Sequence, residues 1–256
     1  MAIGIIGLPL GGKTTIFNAV TRGHAQTAGH RTAGQQPNIG VAKVPDPRLA
    51  ELAKISKPKK VTPAEVQYID IPSAPEGLGK TKGIGGEFLN QLQRCEALLL
   101  VVRAFENPAV PHVDSTIDPY RDAATMMTEL AFSDMGLLER RETRIQQSMR
   151  SAKASERDAL TREAEQVKAI REALEREVPV REQEVPAEAK ATLENYQLLT
   201  QKPLIVVFNI GEGDLAREAE IEREAKSRLE RPGVAVATVA GKLEMELAQM
   251  PLDEER

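Results

Sequence analysis

Short apolar runs alternate with amphipathic stretches along most of the chain. Residues 2–6, 97–102 and 203–209 are apolar almost throughout, the pattern of strands buried on both faces of a sheet. Residues 37–41, 65–70 and 234–239 read as further strands. Between them, residues 14–20, 47–55, 87–96 and 215–230 carry helical periodicity, with Asp46 placed to cap the second helix and Pro47 at its first position. Strands alternating with helices predict a three-layer α/β domain with a mostly parallel sheet.

The pattern changes at Glu139. Of the 39 residues from 139 to 177, 19 are charged with both signs mixed, so most of that surface must face water. A thin apolar seam survives at Leu138, Ile145, Met149 and Ala152, and again at Leu160, Ala164, Val167 and Leu174. Spacings of three, four and seven predict two long helices packed on each other, an antiparallel coiled-coil arm projecting from the sheet. Pro179 and Pro186 interrupt it, and residues 187–200, with Leu193, Tyr196 and Leu199 on one face, read as the returning helix. The division expected is a sheet domain built from residues 1–134 and 201–256, with a helical insertion at residues 135–200.

Chemistry enters between the first strand and the first helix. Gly7-Leu8-Pro9-Leu10-Gly11-Gly12-Lys13-Thr14 fills every fixed position of the phosphate-binding pattern G-x-x-x-x-G-K-[ST], and Thr15 follows. Gly11 and Gly12 leave room for backbone N–H groups to close on phosphate oxygens, with the positive end of the helix behind them. Lys13 adds a point charge over the same oxygens, so Leu10, Gly11, Gly12, Lys13, Thr14 and Thr15 are the candidate phosphate-binding residues. The Thr14 hydroxyl is placed to ligate Mg²⁺ between the β- and γ-phosphates. Asp70 ends the third strand beside this loop, where such proteins hold the same metal less directly.

Residues 23–36 have no periodicity and read as a mobile loop, the position of a first switch, with Thr27 and Thr32 as its available hydroxyls. Residues 72–86 are rich in glycine and read as a second switch. The strand at 203–209 runs into Asn209-Ile210-Gly211-Glu212, where a GTPase places Asn-Lys-x-Asp. Glutamate at the fourth position and no lysine at the second remove the fit to guanine. Asn209, Ile210 and Glu212 are therefore candidate base-binding residues, and Ala240-Gly241 is a turn placed to close over the base.

Composition narrows the setting. The chain has 256 residues and a formal charge of −4, which gives no global nucleic-acid footprint, and DNA is not an expected partner. Lys54, Lys57, Lys59 and Lys60 form a local basic patch that reads as a solvated loop or an RNA contact. The single cysteine, Cys95, excludes an internal disulfide framework and reads as a small buried hydrophobe at a helix end. No apolar run approaches the roughly 18 residues of a membrane span, and the first strand begins at Ala2 without a basic leader. A cytoplasmic, monomeric protein with no membrane partner is expected.

The order of motifs resembles the YchF or Obg-like ATPase family of translation-factor P-loop NTPases. The likeness runs over nearly the whole chain, through Gly7-Leu8-Pro9, Pro37-Asn38, Pro45-Asp46-Pro47-Arg48-Leu49, Asp70-Ile71 and Gly77-Leu78-Gly79. It continues through Gly85 with Phe88, Phe105-Glu106-Asn107, His112-Val113, Asn209-x-x-Glu212 and Leu252-Asp253-Glu254-Glu255-Arg256. The resemblance implies a G-domain-like P-loop domain that prefers ATP over GTP, a coiled-coil insertion and a role at or near the ribosome or a ribosomal subunit. On this reading the chain matches the family without its C-terminal TGS domain. Gly34 stands where the family has a switch threonine, Ser73 replaces a glycine that meets the γ-phosphate, and Ala74 occupies the place of a Ras-like glutamine. Water must be positioned by something else, and His112, in the loop after the strand at 97–102, is the candidate catalytic residue.

The expected activity is Mg²⁺-dependent binding of ATP, with GTP weaker, and slow hydrolysis. A binding switch without turnover is the alternative that Gly34 and Ser73 favour, and a GTPase is another. A P-loop kinase would need a mobile lid of arginines late in the chain, but the late arginines lie in the charged helices.

Overall fold

A computed structural model of the chain describes residues 1–26, 36–71, 86–110, 112, 114–186 and 193–250. Residues 27–35 and 72–85, which hold Thr27, Thr32, Gly34, Ser73, Ala74 and most of both expected switches, lie outside the described residues, as do residues 251–256.

Among the described residues the sheet has six strands: β1 (Ala2–Ile6), β2 (Asn38–Lys43), β3 (Glu65–Asp70), β4 (Ala97–Ala104), β5 (Leu204–Ile210) and β6 (Val234–Val239). Their order is β2-β3-β1-β4-β5-β6. Only β2 runs antiparallel to its neighbour; the other pairings are parallel. Continuous apolar runs fall in the centre because a parallel strand is buried on both faces. In β4, Leu98, Leu100 and Val102 join one core with Met126, Leu130 and Phe208, while Ala97, Leu99 and Val101 join the other with Ile16 and Phe17. That alternation makes three layers. Cys95 is 1% exposed in the first core, and burial pushes its thiol up, as expected of a packing residue.

Helix α1 (Lys13–Thr21) follows β1, and α2 (Pro47–Ser56) starts where expected, with Asp46 accepting from the Arg48 N–H at 3.0 Å. Helix α3 (Gly86–Gln93) is shorter than its periodicity suggests, because Arg94 and Cys95 bond back three residues rather than four. The basic stretch lies at the exposed end of α2 and just beyond it, with Lys54 paired to Glu51 at 2.7 Å.

The arm is present. Helix α4 (Pro119–Ser151) is one continuous helix that leaves the sheet layer and returns as α5 (Ala154–Glu175). Leu138, Ile145, Val167, Ile170 and Leu174 form its buried seam, a core of its own. Arg141 reaches Glu163 across the pair at 2.5 Å, and Tyr196 donates its hydroxyl to the same carboxylate.

The returning helix differs from expectation in its described part. Gln197 takes φ 52°, Leu198 is extended, and residues Leu199–Gln201 make a single 3-10 turn. The reason is competition for the backbone. Asp134 of α4 accepts from the N–H groups of Leu199 and Thr200 at 2.8 and 2.7 Å, and Arg181 donates to the carbonyl of Lys202 at 2.9 Å. Groups claimed by buried side chains cannot also close an i to i−4 ladder. The following amphipathic stretch likewise opens with 3-10 turns, Glu212–Arg217, before α6 (Glu218–Leu229). The last element, α7 (Gly241–Ala248), packs along α1.

Candidate functional site

The loop between β1 and α1 is built by backbone conformations that its sequence permits. Gly7 has φ 146° and Gly12 φ 93°, and a Cβ on either would meet a neighbour at 2.3 Å (Val101 O) or 2.2 Å (Asn209 Nδ2). Leu10 adopts the left-handed region at φ 62° without being glycine. Gly12 is the N-cap of α1, no side chain among the described residues caps that helix, and its first turn holds no acid. The N–H groups of the first turn and the positive end of the helix dipole therefore lie together at the loop, an arrangement suited to an anion.

Charged and polar side chains converge on that end. Lys13 is buried, folded over the loop with Nζ donating to the carbonyls of Gly7 (3.1 Å) and Leu8 (2.9 Å). Thr14 donates its hydroxyl to Asp70 Oδ2 at 2.9 Å, and Asn38 donates to the same oxygen at 3.0 Å. Asn38 sits there because β2 pairs with β3 in a register that sets it opposite Asp70. Thr14 and Asp70 thus offer a hydroxyl and a carboxylate side by side, a hard-oxygen set that fits Mg²⁺, which takes few protein ligands and keeps the rest for water and phosphate. Thr15 follows in the first turn of α1.

On the far side of the loop, Asn209 is 3% exposed at the end of β5. Its Nδ2 donates to the Gly11 carbonyl at 3.1 Å, and its Oδ1 accepts from the Gly241 N–H at 3.1 Å. One amide therefore ties the loop to the start of α7. Gly241 opens that helix rather than only a turn, and a Cβ there would press on Asn209 Oδ1 at 2.7 Å. Ile210 is buried behind Asn209, while Glu212 is exposed and paired with Lys242 at 3.2 Å. The structure thus brings Asn209 to the loop directly and leaves Glu212 at the rim.

His112 lies behind the loop. Its Nε2 is 2.8 Å from Asp122 Oδ2, and its Nδ1 accepts from the Asp114 N–H at 3.1 Å. A crevice lined by Leu8, Pro9, Gly11, Arg103, His112 and Asp122 separates this pair from the phosphate loop. Both ring nitrogens are thus engaged within the protein.

Sequence reasoning missed Asn38, Lys242, Asp122 and Arg103 as partners of the site. Arg103 directly follows the strand expected at 97–102; it donates to Phe105 and Val110 carbonyls at 3.1 and 2.8 Å and anchors the His112 loop. The other three are brought in by strand register and helix packing, which leave no local signal.

A glycine-shaped loop at a helix N-terminus, beside a mostly parallel sheet of this order, defines a P-loop nucleotide-binding domain of the G-domain type. A family model described as "50S ribosome-binding GTPase" matches residues 2–134. The chain is similar to the "Ribosome-binding ATPase YchF" of Bacillus subtilis, 35% identical over 258 residues, with 100% of this chain and 69% of that protein covered. The protein of that name from Escherichia coli O157:H7 is 34% identical over 253 residues, covering 99% and 68%. The solved YchF GTPase of Schizosaccharomyces pombe superposes with a TM-score of 0.79 at 26% identity, over 100% of this chain and 69% of that one. The chain belongs to the YchF family.

Proposed function

We propose that this protein binds ATP with Mg²⁺, takes GTP more weakly, hydrolyses the bound nucleotide slowly, and works as a monomer in the cytoplasm in association with the ribosome. The observation that carries the nucleotide reading is the uncapped N-terminus of α1, flanked by Lys13 and fixed from behind by Asn209. Ribosome association rests on the names that the relatives and the matching family carry. No helix among the described residues is long and apolar enough to cross a membrane.

In this reading the backbone N–H groups from Leu10 to Thr15 and the Lys13 ammonium hold the phosphates. Thr14 and Asp70 hold Mg²⁺, which when bound neutralises charge between the β- and γ-phosphates. Asn209 keeps the loop in its anion-binding shape, and Ile210 and Glu212 border the base. A carboxylate accepts but cannot donate, so Glu212 suits a base edge that offers an amino group. Residues 135–200 act as an arm inserted between the two parts of the nucleotide domain, 1–134 and 201–256.

His112 is the group assigned to orient the attacking water, acting after it leaves its present partners. Hydrolysis by positioning and charge neutralisation alone is slow, which suits a regulatory ATPase. A second reading, a switch that binds without turnover, is favoured by the engagement of both His112 nitrogens. Turnover of ATP and GTP with Mg²⁺, measured beside Lys13→Ala, separates the two. ATP turnover above GTP turnover, lost in Lys13→Ala, supports the ATPase; tight ATP binding with no turnover above the variant supports the switch.

A further inference from the structure

The His112 loop is clamped at both ends by buried charges. At its start, Arg103 is 3% exposed and spends Nε and Nη2 on the loop's own carbonyls. Burial lowers its pKa, and Asp122 opposes that shift. At its end, the side chains of His112 and Asp122 are 4% and 2% exposed and bonded to each other. The Asp114 N–H fixes Nδ1 as an acceptor, so in the neutral ring Nε2 carries the proton and donates to Asp122. The other oxygen of Asp122 accepts from Arg121 at 3.2 and 2.9 Å, and Arg121 is braced in turn on Thr116. His112 is therefore held by a carboxylate whose other oxygen is paired with the Arg121 guanidinium, the charge-assisted kind of hydrogen bond.

Asp122 does not belong to the loop it restrains. It sits in the first turns of α4, the helix that continues unbroken to Ser151 at the far end of the arm. We propose that Asp122 is a positioning residue that holds His112 back from the nucleotide, so that the His112–Asp122 bond sets the rate of hydrolysis from the base of the arm helix. The inference rests on the assignment of His112 as the water-orienting group. Turnover then follows the fraction of molecules in which the bond is open, and any weakening of it raises that fraction in proportion.

The test is single-turnover and steady-state ATP hydrolysis by Asp122→Asn, by His112→Ala and by the double variant, with thermal melting and ATP affinity measured on each. Asn keeps the shape and a neutral hydrogen bond but removes the charge. The expected result for Asp122→Asn is a kcat raised about fivefold with KM within about twofold, since a charge-assisted bond is replaced by a neutral one. In the His112→Ala background the same substitution is expected to change nothing, which a merely structural effect would not reproduce. A folded, ATP-binding Asp122→Asn with turnover at or below the native level overturns the inference and leaves the ATPase assignment standing. Native turnover in His112→Ala instead overturns the assignment of His112 and the inference with it. If Asp122→Asn proves unfolded, Asp122→Glu, which keeps the charge and displaces the carboxylate, takes its place with the same expected direction and the same overturning result.

Discussion

Replacing Asn209 with alanine removes two buried hydrogen bonds at once. The Gly11 carbonyl loses its donor and the Gly241 N–H its acceptor, each at 3.1 Å. A neutral hydrogen bond contributes about 0.5–1.5 kcal/mol net, and a buried group left unpaired costs about 1–3 kcal/mol, so the variant is expected to lose ~2–4 kcal/mol. At this chain length each kcal/mol is worth about 2–4 °C, so Tm should fall by ~5–15 °C. Nucleotide affinity should fall with it, because the loop loses its brace. A double-mutant cycle sharpens the test. Gly12→Ala alone drives a Cβ to 2.2 Å from Asn209 Nδ2 in a backbone with φ 93°. In the Asn209→Ala background that clash is gone and only the backbone strain remains. The two substitutions together should therefore cost less than the sum of each alone, by ~1–2 kcal/mol, as expected of residues in contact. Denaturant unfolding with nucleotide titration measures all four corners. Additive costs, or an Asn209→Ala variant melting within about 1 °C of the native protein, would refute this account of how the loop is held.

Other predictions concern the metal, the arm and pH. Thr14→Ala should weaken ATP binding about tenfold or more with Mg²⁺ and leave it unchanged in chelator, because the hydroxyl acts through the metal; an equal loss in chelator would count against Thr14 as a ligand. Ile145→Ala, at a 0% exposed seam position, should cost ~2–5 kcal/mol. Amide exchange should rise in α4 and α5, while ATP affinity stays within about twofold. Burial holds the Asp134 carboxyl up at about 6, against hydrogen bonds from Thr200 and Leu199 that pull it down. The native state therefore binds this proton more tightly than the unfolded chain does. Its contribution is greatest below the ordinary carboxylate range and falls as pH rises through about 6. The full fall is bounded near ~3 kcal/mol, from 1.36 kcal/mol for each pKa unit. Urea unfolding at about pH 4.5 and 7.5 should show roughly two-thirds of that fall, ~2 kcal/mol, in the native protein and lose it in Asp134→Asn; parallel slopes would sink the assignment.

What the sequence determined by itself was whatever is local or periodic. Continuous apolar runs placed the buried strands, Asp46-Pro47 placed the start of α2, and a seam at spacings of three, four and seven placed the arm. The phosphate loop was legible because Gly7 and Gly12 are required by backbone angles that other residues avoid, so the constraint is written in residue type. Tertiary structure alone decided what meets across long sequence separations. Asn209 reaches Gly11 because β5 ends level with the loop, and Asn38 reaches Asp70 because of an antiparallel register. The turn at 197–201 replaces a helix because Asp134, some 65 residues earlier, claims its N–H groups. His112 carried a catalytic expectation from the sequence, but its present partner Asp122 is supplied by the helix that becomes the arm. Such contacts leave no local pattern, because a hydrogen bond needs only proximity, and proximity between distant segments is a property of packing rather than of composition or period.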